Sequence, residues 1–374
     1  MKTLKNVCNH IFIDSLTGMT EGIFVTLILG TILQQAGQVL GGTTGNYISQ
    51  IGEIAAAFTS AAIGIGIASK YGESVYVTAS AAVCGMVGGY AATLSQGAVS
   101  LTQETSAVSP GEMLGAFTAA FVGINIGRLI SEKTQFDMII TPLITICSGS
   151  FVGMAAGRPI ATLMTWLCNT INWGVSQRPF IMGIVIAVIM GMAVSLPIST
   201  AAIGIILNLD GVAAGAAVIG CCCGMIGFAV TGLRENGAGG LIAQGLGTSK
   251  LQLPNIVRHP QICLPTIAAS AILGPLNTVL VHMQCNAAGA GMGSSALVGP
   301  LMTYQTMTVY MDSKAVIIEI LLMMFILPAV ISLVISELMR KRGWIKKGQL
   351  RLPSRLNRPG MHETATGHTS TSVA

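Results

Sequence analysis

Ten runs of apolar residues constrain this chain more than any other feature. They lie at about 18–34, 51–69, 75–94, 113–130, 138–156, 159–176, 180–201, 212–233, 261–281 and 315–336. A helix crosses the ~30 Å hydrocarbon core of a bilayer with about 20 mostly apolar residues. Only structures that satisfy every backbone polar group internally can do so. The predicted fold is therefore an all-α polytopic membrane protein with about ten transmembrane helices. Composition agrees: 9% of the residues are charged and mean hydropathy is +0.73, whereas a soluble domain carries roughly 25% charged residues. That excludes an ordinary soluble enzyme, a disordered chain, a nucleic-acid binder and a disulfide scaffold. The 46 glycines recur in small-xxx-small pairs such as Gly123/Gly127, Gly149/Gly153 and Gly220/Gly224, which predicts helices in close contact.

Charge placement sets an orientation. With the N-terminus inside and ten spans, all of the 19 basic residues except Arg158 and Lys314 fall on the inner side, as the positive-inside rule requires. Eight of them follow position 339, from Arg340 to Arg358. The expected topology is multi-pass, with both termini cytoplasmic. The sixth segment is the weak link. Asn169, Thr170 and Asn172 interrupt it between Trp166 and Trp173, so it also reads as an interfacial amphipathic helix. If it does not span, the parity of everything after it changes. The expected organisation is one transmembrane domain over 1–344 and a basic, then polar, disordered cytoplasmic tail over 345–374.

Catalytic signatures are missing: there is no HExxH, no P-loop and no kinase set. The nine cysteines show no CxxC spacing, and most sit in apolar runs where small buried hydrophobes are the ordinary reading. No removable signal peptide, metal site, cofactor or catalytic residue is expected. Two stretches, 234–260 and 283–310, are apolar enough to enter a membrane and glycine-rich enough to leave helical geometry. Such backbone survives at depth only where protein or a water-filled cavity covers it, so both are expected to form re-entrant loops at a transport site. The candidate solute-binding residues are Arg234, Glu235 and Asn236 at the head of the first stretch, Asn277 and His282 at the end of the ninth segment, and Asn286 at the head of the second stretch. Glu235 has two readings. One is an Arg234–Glu235 pair at the membrane edge; the other is a carboxylate accepting hydrogen bonds from solute hydroxyls, with Asn236 beside it.

The stretch Gly232-Leu-Arg-Glu-Asn-Gly-Ala-Gly-Gly-Leu-Ile-Ala-Gln-Gly-Leu-Gly-Thr-Ser249, then Leu253-Pro-Asn-Ile-Val-Arg-His-Pro260 and Asn286-Ala-Ala-Gly-Ala-Gly-Met-Gly-Ser-Ser295, resembles the enzyme IIC-like integral membrane family. That family belongs with the membrane components of the bacterial sugar phosphotransferase system and includes perfringolysin-regulator-type membrane proteins. The likeness covers roughly residues 10–340. It implies ten membrane helices, two re-entrant hairpins, a homodimer and elevator-type movement of a sugar site. It also places Glu235 at the position of a sugar-binding glutamate. Two departures stand out: Asn236 follows that glutamate where proline is usual, and Leu253-Pro254 lies farther along than in the sugar components. The resemblance implies phosphotransfer through His- and Cys-bearing domains. The ten segments leave no room for them, so either separate phosphotransferase subunits would supply that chemistry or transport is uncoupled from phosphorylation. The expected function is a permease component for a small hydroxylated solute, a sugar or sugar derivative. The alternative is a membrane-bound sensor that binds a small ligand and signals through its tail to a cytoplasmic partner.

Overall fold

The computed structural model describes residues 2–95, 112–131, 133 and 136–352. Every regular element among them is a helix. Two bundles share the chain. In the first, α1 (Lys2–Ile23) continues through a π-turn at Phe24–Ile28 into α2 (Leu29–Leu40). Gly41 and Gly42, at φ of 63° and 64°, reverse the chain in a conformation that only glycine adopts freely. The return is made by α3 (Gly42–Ala57) along α2, then, after a 56° bend, by α4 (Thr59–Tyr71) along α1. This bundle also holds α5 (Val75–Gly89), α6 (Ala91–Ser95), α7 (Met113–Ile130) and the first half of α8 (Asp137–Val175). Its core includes Met19, Ile23, Ile63, Ile67, Ala116 and Ile124. Glycine makes the close packing possible: Gly18 faces Gly66 and Gly64 faces the carbonyl of Ala81 so closely that a Cβ would overlap backbone.

The second bundle is built around α11 (Gly211–Thr231), which is buried along nearly its whole length. Before it come α9 (Pro179–Ala193) and α10 (Thr200–Ile206). After it come α12 (Leu233–Ile242), α13 (Leu253–Arg258), α14 (Leu264–Leu276), α15 (Ala287–Ala290), α16 (Val298–Met307), α17 (Ser313–Ile320) and α18 (Leu327–Lys341). Local chemistry sets several starts. Pro179 opens α9 where its missing N–H is no loss. Ser199 accepts from Ala202 N at 3.3 Å to cap α10, and Asp312 accepts from Lys314 N at 3.3 Å ahead of α17. The core of this bundle, with Ile186, Met190, Ile219, Leu273 and Met323 among its members, is separate from the first.

Three segments enter the second bundle and turn back. The first runs up α9 alongside α11, breaks at 194–199 and returns as α10, whose Gly204 packs on α15 near the start of α11. The second leaves the far end of α11 at Gly232 and folds over at 245–250. It comes back as α13, where His259 Nδ1 lies 3.4 Å from Gln349 Nε2. The third leaves from Cys285, whose N–H donates to Gly211 O at 3.2 Å. It turns at Gly293 against Cys221, midway along α11, and returns through α16, where Met302 meets Asn286.

This geometry corrects the expected count of ten helices in two places. The fifth and sixth segments form one helix, α8, of 39 residues, about 58 Å at 1.5 Å per residue. Pro159 lies inside it; a proline removes one hydrogen bond but does not force a reversal. The seventh segment is the α9–α10 excursion and not a through-going helix. By length and composition six helices are able to cross a membrane, seven if the bent α3–α4 pair is one span, and α5 and α9 are shorter apolar helices. A third finding concerns 345–352, placed in the tail by sequence. These residues pack onto the body, with Ile345 and Leu350 joining Phe228, Ile256, Ile262 and Met339 in a small core of their own. The remainder of that tail, 353–374, lies outside the described residues.

Candidate functional site

A cavity of about 950 Å³ lies between the two bundles, where all three turning points converge. One wall is α2 and α3, which contribute Thr31, Gln34, Gln50 and Glu53. The facing wall is the broken segment with Ser199 and Thr200, the first glycine-rich tip with Thr248 and Lys250, and the second with Gly291 and Ser295. Glycine lets these tips approach. Ser294 Oγ donates to Gly245 O at 2.6 Å and Ser295 Oγ to Gly247 O at 2.9 Å, tying one tip to the other. Thr200 Oγ1 donates to Gly291 O at 2.6 Å, and Ser195 Oγ to Ser249 Oγ at 2.9 Å. The lining is mostly apolar, with Leu27, Ile28, Met86 and Met113 beside a few hydroxyl, amide and carboxylate groups. That is the usual make-up and size of a small-molecule site.

Lys250 is the unusual member. It is 4% exposed, and its ammonium donates to the carbonyls of Val194 at 3.0 Å, Leu196 at 2.9 Å and Ile198 at 2.9 Å. An ammonium has three donors, so none is left for a solute. Among the described residues no carboxylate lies within ion-pair distance of it. Half-buried Glu112, whose Oε1 has no hydrogen-bond partner, acts on it only across space.

The six residues nominated from sequence do not line this cavity, and they form two groups. Arg234, Glu235 and Asn236 follow the far end of α11. Asn277, His282 and Asn286 lie near its beginning, with Asn277 packed on Gly215. About 24 Å of helix separates Gly215 from Thr231, so the groups cannot share one small ligand. Arg234 pairs with Glu337 at 2.9 Å and not with Glu235. Glu235 Oε1 accepts from Arg340 Nη2 at 3.0 Å, and Oε2 accepts from Leu350 N at 3.0 Å. Asn236 Oδ1 accepts from Leu352 N at 2.7 Å, while its Nδ2 donates to Leu350 O at 2.8 Å. Gln252 Nε2 donates to Leu350 O and Asn255 Nδ2 to Arg351 O, each at 2.9 Å. The polar head of the first glycine-rich stretch thus holds the backbone of 350–352 as a strap. Asn277 accepts from Met283 N at 2.8 Å and donates to Met283 O at 3.1 Å, closing the turn after α14. His282 is exposed at φ 59°. Asn286 caps α15 by accepting from Gly289 N at 3.0 Å.

Sequence reasoning passed over the cavity wall. Glu53 stands near the start of the second apolar run, and Thr31 and Gln34 lie inside the first. Lys250 carried a usable signal: a lone charge inside a glycine-rich apolar stretch, which is expensive in a membrane unless it has a partner. No group of three or more His, Cys, Asp or Glu residues able to hold a metal occurs among the described residues. A family model described as "Phosphotransferase system, EIIC" matches residues 13–352, strap included. No curated protein and no solved structure matches the chain.

Proposed function

Because the chain belongs to the phosphotransferase system EIIC family, as a multi-pass membrane permease component of the sugar phosphotransferase type, we propose that it carries a small hydroxylated solute, a sugar or sugar derivative, in the inter-bundle cavity. The observation that carries this reading is the convergence of three turning segments on one cavity between two separately packed cores. Gln34 offers a donor and an acceptor over an apolar floor; the hydroxyls of Ser199 and Thr248, which accept one capping bond each, and of Thr31, which donates to Ile28 O, offer their remaining capacity. Transport is elevator-type: the α9–α18 bundle carries the tips and slides against the α1–α8 bundle, exposing the cavity to each side in turn. Glu235 and Asn236 hold the stem of the first stretch, whose tip shapes the site.

The membrane is the bacterial cytoplasmic membrane, with both ends of the chain cytoplasmic. In support, Leu253 of the first stretch packs with Leu16 and Met19 of α1, which puts α13 and the strap beside the start of the chain. The protein acts as a homodimer, and any phosphotransfer is done by separate subunits.

Thermal unfolding of the purified protein with sugars, sugar phosphates, polyols and small organic acids tests the assignment. A ligand at about 100 times its Kd stabilises by about 2.7 kcal/mol. The expected hit is a sugar-like compound whose effect disappears in Gln34→Leu and Thr248→Val and persists in Glu235→Gln. A hit lost in Glu235→Gln but kept in both cavity variants would move the solute to the stem. A sensor reading draws on one observation, the docking of the basic C-terminal segment on the stem. Truncation after residue 352, which leaves the strap in place, separates the two: a sensor loses its output and a permease still transports.

A further inference from the structure

A broken helix end is a place where carbonyls lack partners. In membrane transporters such unwound carbonyls, near the midplane, coordinate the coupling cation. At the break at 194–199 the carbonyls of Val194, Leu196 and Ile198 point at one centre, which the ammonium of Lys250 occupies at 2.9–3.0 Å from each, and Leu196 O also accepts from Ile198 N at 2.8 Å. The ammonium comes from the tip of a different segment and has no carboxylate at ion-pair distance among the described residues. Its direct contacts are therefore the three carbonyl oxygens, with Glu112 acting only across space. We infer that the Val194–Leu196–Ile198 carbonyls form a monovalent-cation site that Lys250 fills as a tethered cation.

The consequence concerns coupling. A free cation in this site would join the broken helix to the first glycine-rich tip only when bound, and solute binding in the adjoining cavity would depend on it. Lys250 makes that link permanent, so the wild-type site works without Na⁺ or K⁺. This consequence rests on the cavity being the transport site; cation binding itself does not.

The experiment therefore needs no solute. Wild type, Lys250→Ala and Lys250→Met are purified in choline chloride, and their unfolding is followed in choline, sodium, potassium or methylammonium chloride at constant ionic strength. Lys250→Ala vacates the carbonyl centre. It should unfold below wild type in choline and recover by about 2 °C or more in at least one of the three smaller cations, as expected for a ligand bound only by the folded state. Methylammonium, the lysine head group without its tether, is the most direct rescue. Lys250→Met keeps the side-chain bulk over the site, and it and wild type should not respond. Equal responses in wild type and Lys250→Ala overturn the inference, as does a folded Lys250→Ala indifferent to all three cations. If Lys250→Ala is not recovered in choline, recovery from membranes prepared in each salt is the readout. No recovery in any of them also overturns it. A sugar hit that fails to appear would leave this result standing, so the two readings fail separately.

Discussion

Removing the guanidinium of Arg340 tests how the strap is held. In the structure Arg340 donates to Glu235 Oε1 at 3.0 Å and to Thr231 O at 3.1 Å. The side chains of the pair are 15% and 6% exposed, so this pair is largely, though not fully, buried. Breaking such a pair by removing one partner costs about 3–5 kcal/mol, because the other charge stays buried without compensation. Glu235 keeps one bond, from Leu350 N, which puts Arg340→Met near the lower end, about 3 kcal/mol. With an unfolding entropy of about 2.1 cal/mol/K per residue, 374 residues convert 3 kcal/mol to a fall of about 4 °C. Arg234→Ala is the control. Its pair with Glu337 is at a similar distance, but the arginine is 70% exposed, and surface pairs contribute about 0–1 kcal/mol. A double-mutant cycle with Glu235→Gln isolates the interaction. Once the carboxylate is neutral, deleting Arg340 should matter far less, leaving a coupling of about 1.5–3 kcal/mol. Additivity within about 0.5 kcal/mol, or an Arg340→Met loss no larger than that of Arg234→Ala, would falsify the account of a strap clamped through a buried ion pair.

Three further outcomes follow from the packing. Gly64→Val should prevent recovery of folded protein, judged by monodispersity in detergent, because a side chain there overlaps the Ala81 carbonyl and close-packed backbone cannot yield locally. Asn277→Ala should cost about 2–3 kcal/mol in unfolding, since it strands the N–H and the carbonyl of buried Met283; His282→Ala, at an exposed position, should change stability by less than about 0.5 kcal/mol. Thr200→Val should lower uptake more than stability, because the hydroxyl joins the broken helix to the second glycine-rich tip through Gly291 O. Equal losses in the two assays would assign it to packing alone.

The membrane class was legible in the sequence because the bilayer imposes a composition no soluble chain shares: long apolar runs, few charges, and glycine wherever helices meet. The two glycine-rich stretches were legible for the same reason, since backbone that is neither helical nor solvated must be covered. Which helix ends where was not. A run of apolar residues looks the same whether it crosses, turns back at 194–199, or continues through Pro159 as one 39-residue helix. That choice depends on what packs alongside, and apolar periodicity does not record it. The same holds at residue level. Glu235 and Asn236 announced a polar site, but their partners are the backbone of 350–352, more than a hundred residues downstream, and a carboxylate carries no mark of whether a solute or its own chain fills it. Lys250, Thr248, Thr31 and Gln34 come from distant parts of the chain, and only the meeting of two bundles brings them to one cavity. Sequence determined that this chain lives in a membrane and keeps irregular backbone at its centre. Tertiary packing decided which polar groups are spent on holding the fold and which are left to face a solute.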